Sequence, residues 1–208
     1  MKKYTEKTAA AMLQKLLRAT AKGCREAMRY TWIDENSRQC CCDGFRAYRL
    51  KTPVPGVPDM PRHLRGIDLD KVFPAAKDMQ EIPLPALDDV KALYSADRAN
   101  KEDPRRYHFA FGSGLPTVDL RYLYEMIQLF PDARLYVGKS VSPLLFISEH
   151  GDGVLLPMRP PQSASRTADE NAEAVERFQT PRQIPQKETT ANHFPVFSPA
   201  AFIARFAA

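Results

Sequence analysis

The sequence predicts an α+β fold: two units, each a helix followed by three strands, closing into one domain with both helices on one face of an antiparallel sheet. Three observations predict it. Apolar side chains recur at helical spacing over residues 6–22, short alternating runs fill residues 25–51, and residues 118–158 repeat that order of helix and three strands. The repetition is one of pattern, since no sequence repeat at a fixed period accompanies it.

The first helix is expected from Glu6 to Lys22. Ala9, Met12, Leu13, Leu16, Leu17 and Thr20 form its apolar face, and Gly23 supplies the stop. Lys7, Lys15, Arg18 and Lys22, with Gln14 between them, fall on the other side as a basic stripe. Such a stripe is commonly a solvated helix face, and it is also the form that a phosphate-facing surface takes. Residues 25–33 alternate, with Met28, Tyr30 and Trp32 to one side and Arg29 and Thr31 to the other, which predicts a half-buried strand. A turn follows over 34–37. Residues 38–42 and 45–51 predict the second and third strands, with Asp43-Gly44 as a tight feature between them.

Residues 52–104 break this rhythm. Prolines at 53, 55, 58, 61, 74, 83 and 85 exclude continuous regular structure, so the stretch reads as an insertion or long connection inside the domain, with one helix at 86–99. Regularity returns where Tyr107, Phe109 and Phe111 alternate as on a strand, ahead of a helix over 118–130 that Pro131-Asp132 ends. Strands are predicted over 134–139, 143–149 and 154–158, separated by turns at 138–140 and 150–153. The domain thus spans 1–158. Residues 159–208 are rich in Pro, Gln, Ser, Thr and charge and read as a flexible tail. Its end is a short apolar anchor, in which Ser198 caps, Pro199 takes the first helical position and Phe202, Ile203 and Phe206 share a face.

Composition narrows the function. A chain that is 44% hydrophobic and 26% charged is ordinary globular material. No apolar run reaches membrane-spanning length and residues 1–7 lead straight into the amphipathic pattern, which predicts a cytoplasmic protein with no membrane partner. The net charge of +5 is uneven: residues 1–51 hold 12 basic and 5 acidic side chains, residues 52–158 hold 12 and 15. Cys24, Cys40, Cys41 and Cys42 lack the separated pairs of a disulfide framework or a zinc site and read as reduced thiols on or beside a strand. His63, His108 and His150 show no metal-ligand spacing, so neither metal nor cofactor is expected. Nucleophile-elbow, zinc-protease, phosphate-loop, dinucleotide and zinc-deaminase motifs are all missing. Asp68, Asp70, Asp88 and Asp89 are the one carboxylate set for a metal-dependent nuclease, and the last two fall on a predicted surface helix, so the chain reads as a non-enzyme.

The segment from Val118 to Pro160 resembles the end of a domain of the bacterial DNA polymerase III sliding clamp (beta clamp) family. In that family a helix of the form YLLDAL, a strand, SPLLI and a final strand ending MPMR follow one another. Here Tyr122-Leu123-Tyr124-Glu125-Met126, Ser142-Pro143-Leu144-Leu145-Phe146 and Leu156-Pro157-Met158-Arg159 stand in that order. Residues 1–51 are similar, more loosely, to the start of such a domain, where Cys42-Asp43-Gly44-Phe45-Arg46 resembles the family's TDGYR or TDGHR turn. Together the matches touch roughly half the chain.

The resemblance implies the DNA-clamp (processivity) fold, with helices turned toward double-stranded DNA and a peptide-binding cleft that recruits replication or repair proteins. It implies DNA contacts for Lys7, Lys15, Arg18 and Lys22, and cleft positions for Gly44, Phe45, Arg46, Pro157, Met158 and Arg159. A one-domain chain needs about six copies to close the family's ring, so a homo-oligomer is one expectation. The other is a monomeric or dimeric protein-interaction module, of mobile-element or phage type, that keeps the fold without binding DNA. Both stand because the helix over 118–130 offers Arg121 as its only basic residue, beside Asp119 and Glu125.

Overall fold

The computed structural model describes residues 4–19, 25–102 and 106–158. The described residues belong to one compact unit. The expected tail and anchor, together with Lys22, Gly23, Cys24 and Arg159, lie outside the described residues.

Thr5 opens the first helix, α1 (Glu6–Ala19), by accepting the Thr8 N–H on its hydroxyl at 3.1 Å. Ala9, Leu13, Leu16 and Leu17 are buried along it, as the spacing requires. The expected strand over 25–33 is corrected. Glu26–Arg29 form a 3-10 turn, Tyr30 is extended, and the strand that remains is the short β1 (Trp32–Ile33). Thr31 is the cause: its N–H donates to the Pro58 carbonyl and its own carbonyl accepts from Met60, both at 2.8 Å, which ties it to the proline-rich segment.

β2 (Gln39–Cys42) and β3 (Arg46–Leu50) follow as predicted. Later come β4 (Gln80–Ile82), α2 (Leu87–Ala99), β5 (His108–Ala110), β6 (Thr117–Asp119), α3 (Leu120–Leu129), β7 (Arg134–Val137), β8 (Leu144–Ser148) and β9 (Gly151–Leu155). One seven-stranded antiparallel sheet runs in the order β1-β2-β3-β9-β8-β7-β4, and β5 and β6 make a separate hairpin. β3 pairs with β9, Arg46 facing Leu155 and Leu50 facing Gly151, so the two helix-and-strands units join edge to edge.

Both α1 and α3 cover one face. Strand alternation puts Cys41, Tyr48, Leu50, Phe146 and Leu155 on it, buried beneath Leu13, Leu16, Leu123, Met126 and Phe130. Gly153 makes the close approach possible: a Cβ there would lie 2.9 Å from Met126 Sδ and from a Phe130 ring carbon. The Gly-Asp-Gly run predicted as a turn is therefore the start of β9. Its glycines answer to packing, and at Gly151 a Cβ would meet the Arg49 carbonyl oxygen at 2.2 Å.

The opposite face is covered as well, by the segment expected to be an insertion or long connection. Leu69 is buried against Cys40, Cys42 and Ala47, with Ile67, Val72 and Phe73 beside it, and Val72, Phe73, Ala76 and Met79 pack on Tyr136, Leu145 and Val154. Burying one leucine is worth about 2 kcal/mol, so this cover is part of the domain's core. Arg49 fastens it, with Nη1 2.7 Å from Asp70 and the guanidinium 3.7 Å over the Phe73 ring. β4 then extends the sheet past β7.

Candidate functional site at the Asp43 to Arg46 turn

The turn between β2 and β3 is built by one carboxylate. Asp43 Oδ1 accepts the N–H groups of Phe45 and Arg46, each at 2.9 Å, and Asp43 N donates to the Arg46 carbonyl at 3.1 Å. Gly44 takes φ +88°, the left-handed conformation that this tight turn requires. Phe45 is thrown outward as a result and is 58% exposed, stacked on Tyr122 of α3 at a centroid distance of 5.9 Å.

Arg46 turns the other way. By strand alternation it shares the helix-covered face with Tyr48 and Leu50, and its side chain is only 2% exposed. A guanidinium at such a place needs acids around it. Nε meets Asp43 Oδ2 at 3.0 Å, Nη1 bonds Glu125 Oε2, and the group lies 4.4 Å over the Tyr122 ring. Burial disfavours its charge, but Tyr48, Glu125 and Asp43 outweigh that and hold its pKa above the ordinary arginine value. Glu125 Oε1 takes a second cation, Lys15 Nζ of α1, at 2.6 Å.

The chain leaving β9 passes the same turn. Leu156 N donates to the Phe45 carbonyl at 2.8 Å and Met158 N to the Thr117 carbonyl at 2.7 Å, which leaves Pro157 and Met158 half-buried beside them. The segment Leu156 to Met158 is thus tied to the turn at Phe45 and to β6 at Thr117 within one chain. Arg46 belongs to the group differently from the expectation of a cleft side chain: it holds the turn from inside. Arg159 lies outside the described residues.

No family model and no curated protein sequence matches the chain. Among solved structures it is similar to a sliding clamp. That structure is the DNA polymerase sliding clamp from Pseudomonas aeruginosa with ligand, at 12% sequence identity and a TM-score of 0.45, over 73% of this chain and 64% of that one. The chain therefore spans somewhat less than two thirds of the clamp it matches.

The expected basic stripe is only partly available. Lys7 and Arg18 are exposed on α1, Lys15 is 60% exposed but paired with Glu125, and Lys22 is outside the described residues. Gln14 reaches the Gly56 carbonyl at 2.7 Å, which fixes the proline-rich segment against α1. On α3, Asp119 caps the helix through Arg121 N and also binds the Arg121 guanidinium, with Nε to Oδ1 at 2.9 Å. Glu125, expected to offset Arg121, instead serves Lys15 and Arg46.

Other candidate groups stand apart. Asp70 pairs with Arg49 and Arg38, Asp68 with Lys71, and Asp88 and Asp89 occupy the first turn of α2, so those four acids form no shared donor set among the described residues. Asp132, Glu149 and His150 do place one ligand atom each within 4.8 Å of one another. Their contacts are internal, however, with Asp132 bound by the Ser148 hydroxyl at 2.8 Å and His150 Nε2 3.1 Å from Glu149. Cys40, Cys41 and Cys42 lie buried on β2, and burial pushes the Cys40 thiol up to about 12, with the Asp34 carboxylate adding to the shift. Among the described residues no helix is long and apolar enough to cross a membrane.

The sequence reading missed Asp43 as the turn's organiser and Glu125 and Tyr122 as its partners. One signal was present: Arg46 alternates with Tyr48 and Leu50 on a strand, a register that buries it and calls for an acid on the covering helix.

Proposed function

We propose that the chain is a non-catalytic, clamp-like scaffold that receives a peptide segment of a replication or repair protein at the Asp43 to Arg46 turn and associates with double-stranded DNA through α1. One observation carries the peptide reading: an aromatic side chain, Phe45, is held 58% exposed by a fully engaged turn while Leu156 to Met158 runs alongside it. Aromatic side chains are enriched at the cores of protein interfaces, and the turn holds this one in place before any partner arrives. The DNA reading is supported by Lys7 and Arg18, exposed on one helix in a quarter of the chain with excess positive charge.

The test is solution mass by light scattering on the full chain, at several concentrations in low salt, with and without duplex DNA. Assembly to about six copies, or a DNA complex that weakens as salt rises and in Lys7→Glu with Arg18→Glu, supports the scaffold on DNA. Lys15 is left intact because its reversal would also break the Glu125 pair. A monomer indifferent to DNA overturns that part. A second reading, a protein-interaction module without DNA binding, is favoured by the pairing of Lys15 to Glu125 and of Arg121 to Asp119, which reduces the free positive charge of both helices.

A further inference from the structure

Beside the turn, four half-buried tyrosines and one arginine form an unbroken strip across α2, α3 and the start of β5. Tyr94 stacks on Tyr124 at 5.6 Å and meets Tyr107 at 5.7 Å. The Arg121 guanidinium lies 4.8 Å from the Tyr107 ring and 5.7 Å from the Tyr122 ring, so it bridges the two ends, and Arg106 sits 5.6 Å over Tyr107. The charges here are sorted by depth. Arg121 is 47% exposed while its partner Asp119 is 9% exposed, and Lys15 reaches solvent above a Glu125 that is nearly covered. What faces outward is therefore aromatic surface with Arg121 and Arg106 beside it, and the half-buried acid at its edge, Asp97, accepts the Tyr107 N–H at 2.8 Å.

We propose that this strip, Tyr94, Tyr107, Arg121, Tyr122 and Tyr124, binds single-stranded nucleic acid. Unpaired bases expose π-faces that stack on tyrosine and guanidinium planes, and the phosphates between them meet Arg106 and the exposed half of Arg121. A duplex hides its base faces and gains only the charge term. Tyr94 comes from α2, so the segment between the two helix-and-strands units supplies part of the strip. The strip meets the peptide site at Tyr122, on which Phe45 stacks at 5.9 Å, and Tyr94, Tyr107 and Tyr124 lie beyond it.

The test is fluorescence polarisation with the full chain, using labelled oligothymidylate, an abasic strand of equal length and a duplex. Oligothymidylate is expected to bind more tightly than either control. Tyr94→Ser and Tyr124→Leu are each expected to weaken it roughly 5- to 150-fold, the range that loss of one stacking partner gives. Tyr124→Leu keeps apolar packing, and its thermal melt is recorded alongside, so a folded variant without binding reports the ring itself. Tyr94→Phe is expected to restore binding. Equal affinity for the abasic strand or the duplex, unchanged affinity in folded Tyr124→Leu, or capture of a peptide at these tyrosines with no oligonucleotide binding overturns the proposal.

Discussion

Glu125 of α3 and Arg46 of β3 form a buried ion pair at the point where helix and sheet meet, with side-chain exposures of 7% and 2%. The pair is closed on both sides, by Asp43 on the arginine and by Lys15 on the glutamate. Two acids and two bases balance, so the network keeps the turn in place without leaving net charge under the helix.

Removing one partner should therefore cost far more than removing both. Glu125→Leu is expected to lose roughly 3 to 5 kcal/mol of unfolding free energy, because Arg46 is left charged in a covered site. Arg46→Met with Glu125→Leu is expected to recover much of that loss. Urea denaturation of the single and double variants measures the difference.

Gly153 and Gly151 should respond unequally to alanine. At Gly153 the new methyl meets the Met126 thioether and a Phe130 ring edge at 2.9 Å, and Met126 is flexible enough to yield, so about 1 to 3 kcal/mol is expected. At Gly151 it meets the backbone oxygen of Arg49 at 2.2 Å, and nothing can yield without parting β3 from β9. Gly151→Ala is expected to be the more damaging by thermal melting.

Phe73→Ala should loosen the cover on the outer face by about 2 kcal/mol, less than a fully buried phenylalanine would cost. The chain's single tryptophan, Trp32, belongs to the cluster that this cover closes. Its emission is expected to shift to the red in the variant while far-ultraviolet circular dichroism stays the same.

Stability should fall at both ends of the pH range for identifiable reasons. Burial alone would raise the Asp34 carboxyl, but bonds from the Arg38 amide and guanidinium outweigh it and place its pKa below the ordinary 3.8. A depressed acid stabilises above its unfolded value and loses that contribution as pH falls through the folded one, so Asp34→Asn should flatten the loss of stability below about pH 4. Cys40 has the opposite sense. Its contribution is complete below the ordinary thiol value of 9.0 and is lost as pH rises toward about 12. Near neutral pH, iodoacetamide followed by peptide mass mapping should leave Cys40, Cys41 and Cys42 unmodified in the folded protein.

What the sequence made legible was periodicity. α1, β2, β3, α3, β7 and β8 each follow from apolar spacing that the packed structure uses directly, and the tight Asp43-Gly44 feature was readable at the residues themselves, whereas β9 begins in the Gly-Asp-Gly run that reads as a turn. The outer cover was hidden because its apolar groups, Leu69, Val72, Phe73 and Met79, follow neither a helical nor a strand period. They are placed by 3-10 turns and by proline, whose constraint on the chain reads locally as disruption. The 3-10 turn at Glu26–Arg29 was missed for a related reason: Met28 and Trp32 do reach one apolar cluster, as an alternating strand would require, but they arrive there through a turn. Tyr94 and Tyr124 joined the candidate surface only through tertiary packing, since thirty residues separate them.

The pairing of β3 with β9 carries a consequence for how the chain is made. Arg46 acquires its glutamate 79 residues later, and the strand that flanks it begins at Gly151. A nascent chain leaving the ribosome thus carries the residues of α1, β2 and β3 before the acid of α3 and the strand that pairs with β3 have been made. The first unit waits for the last, and stalled or truncated products should be recognised by chaperones and proteases.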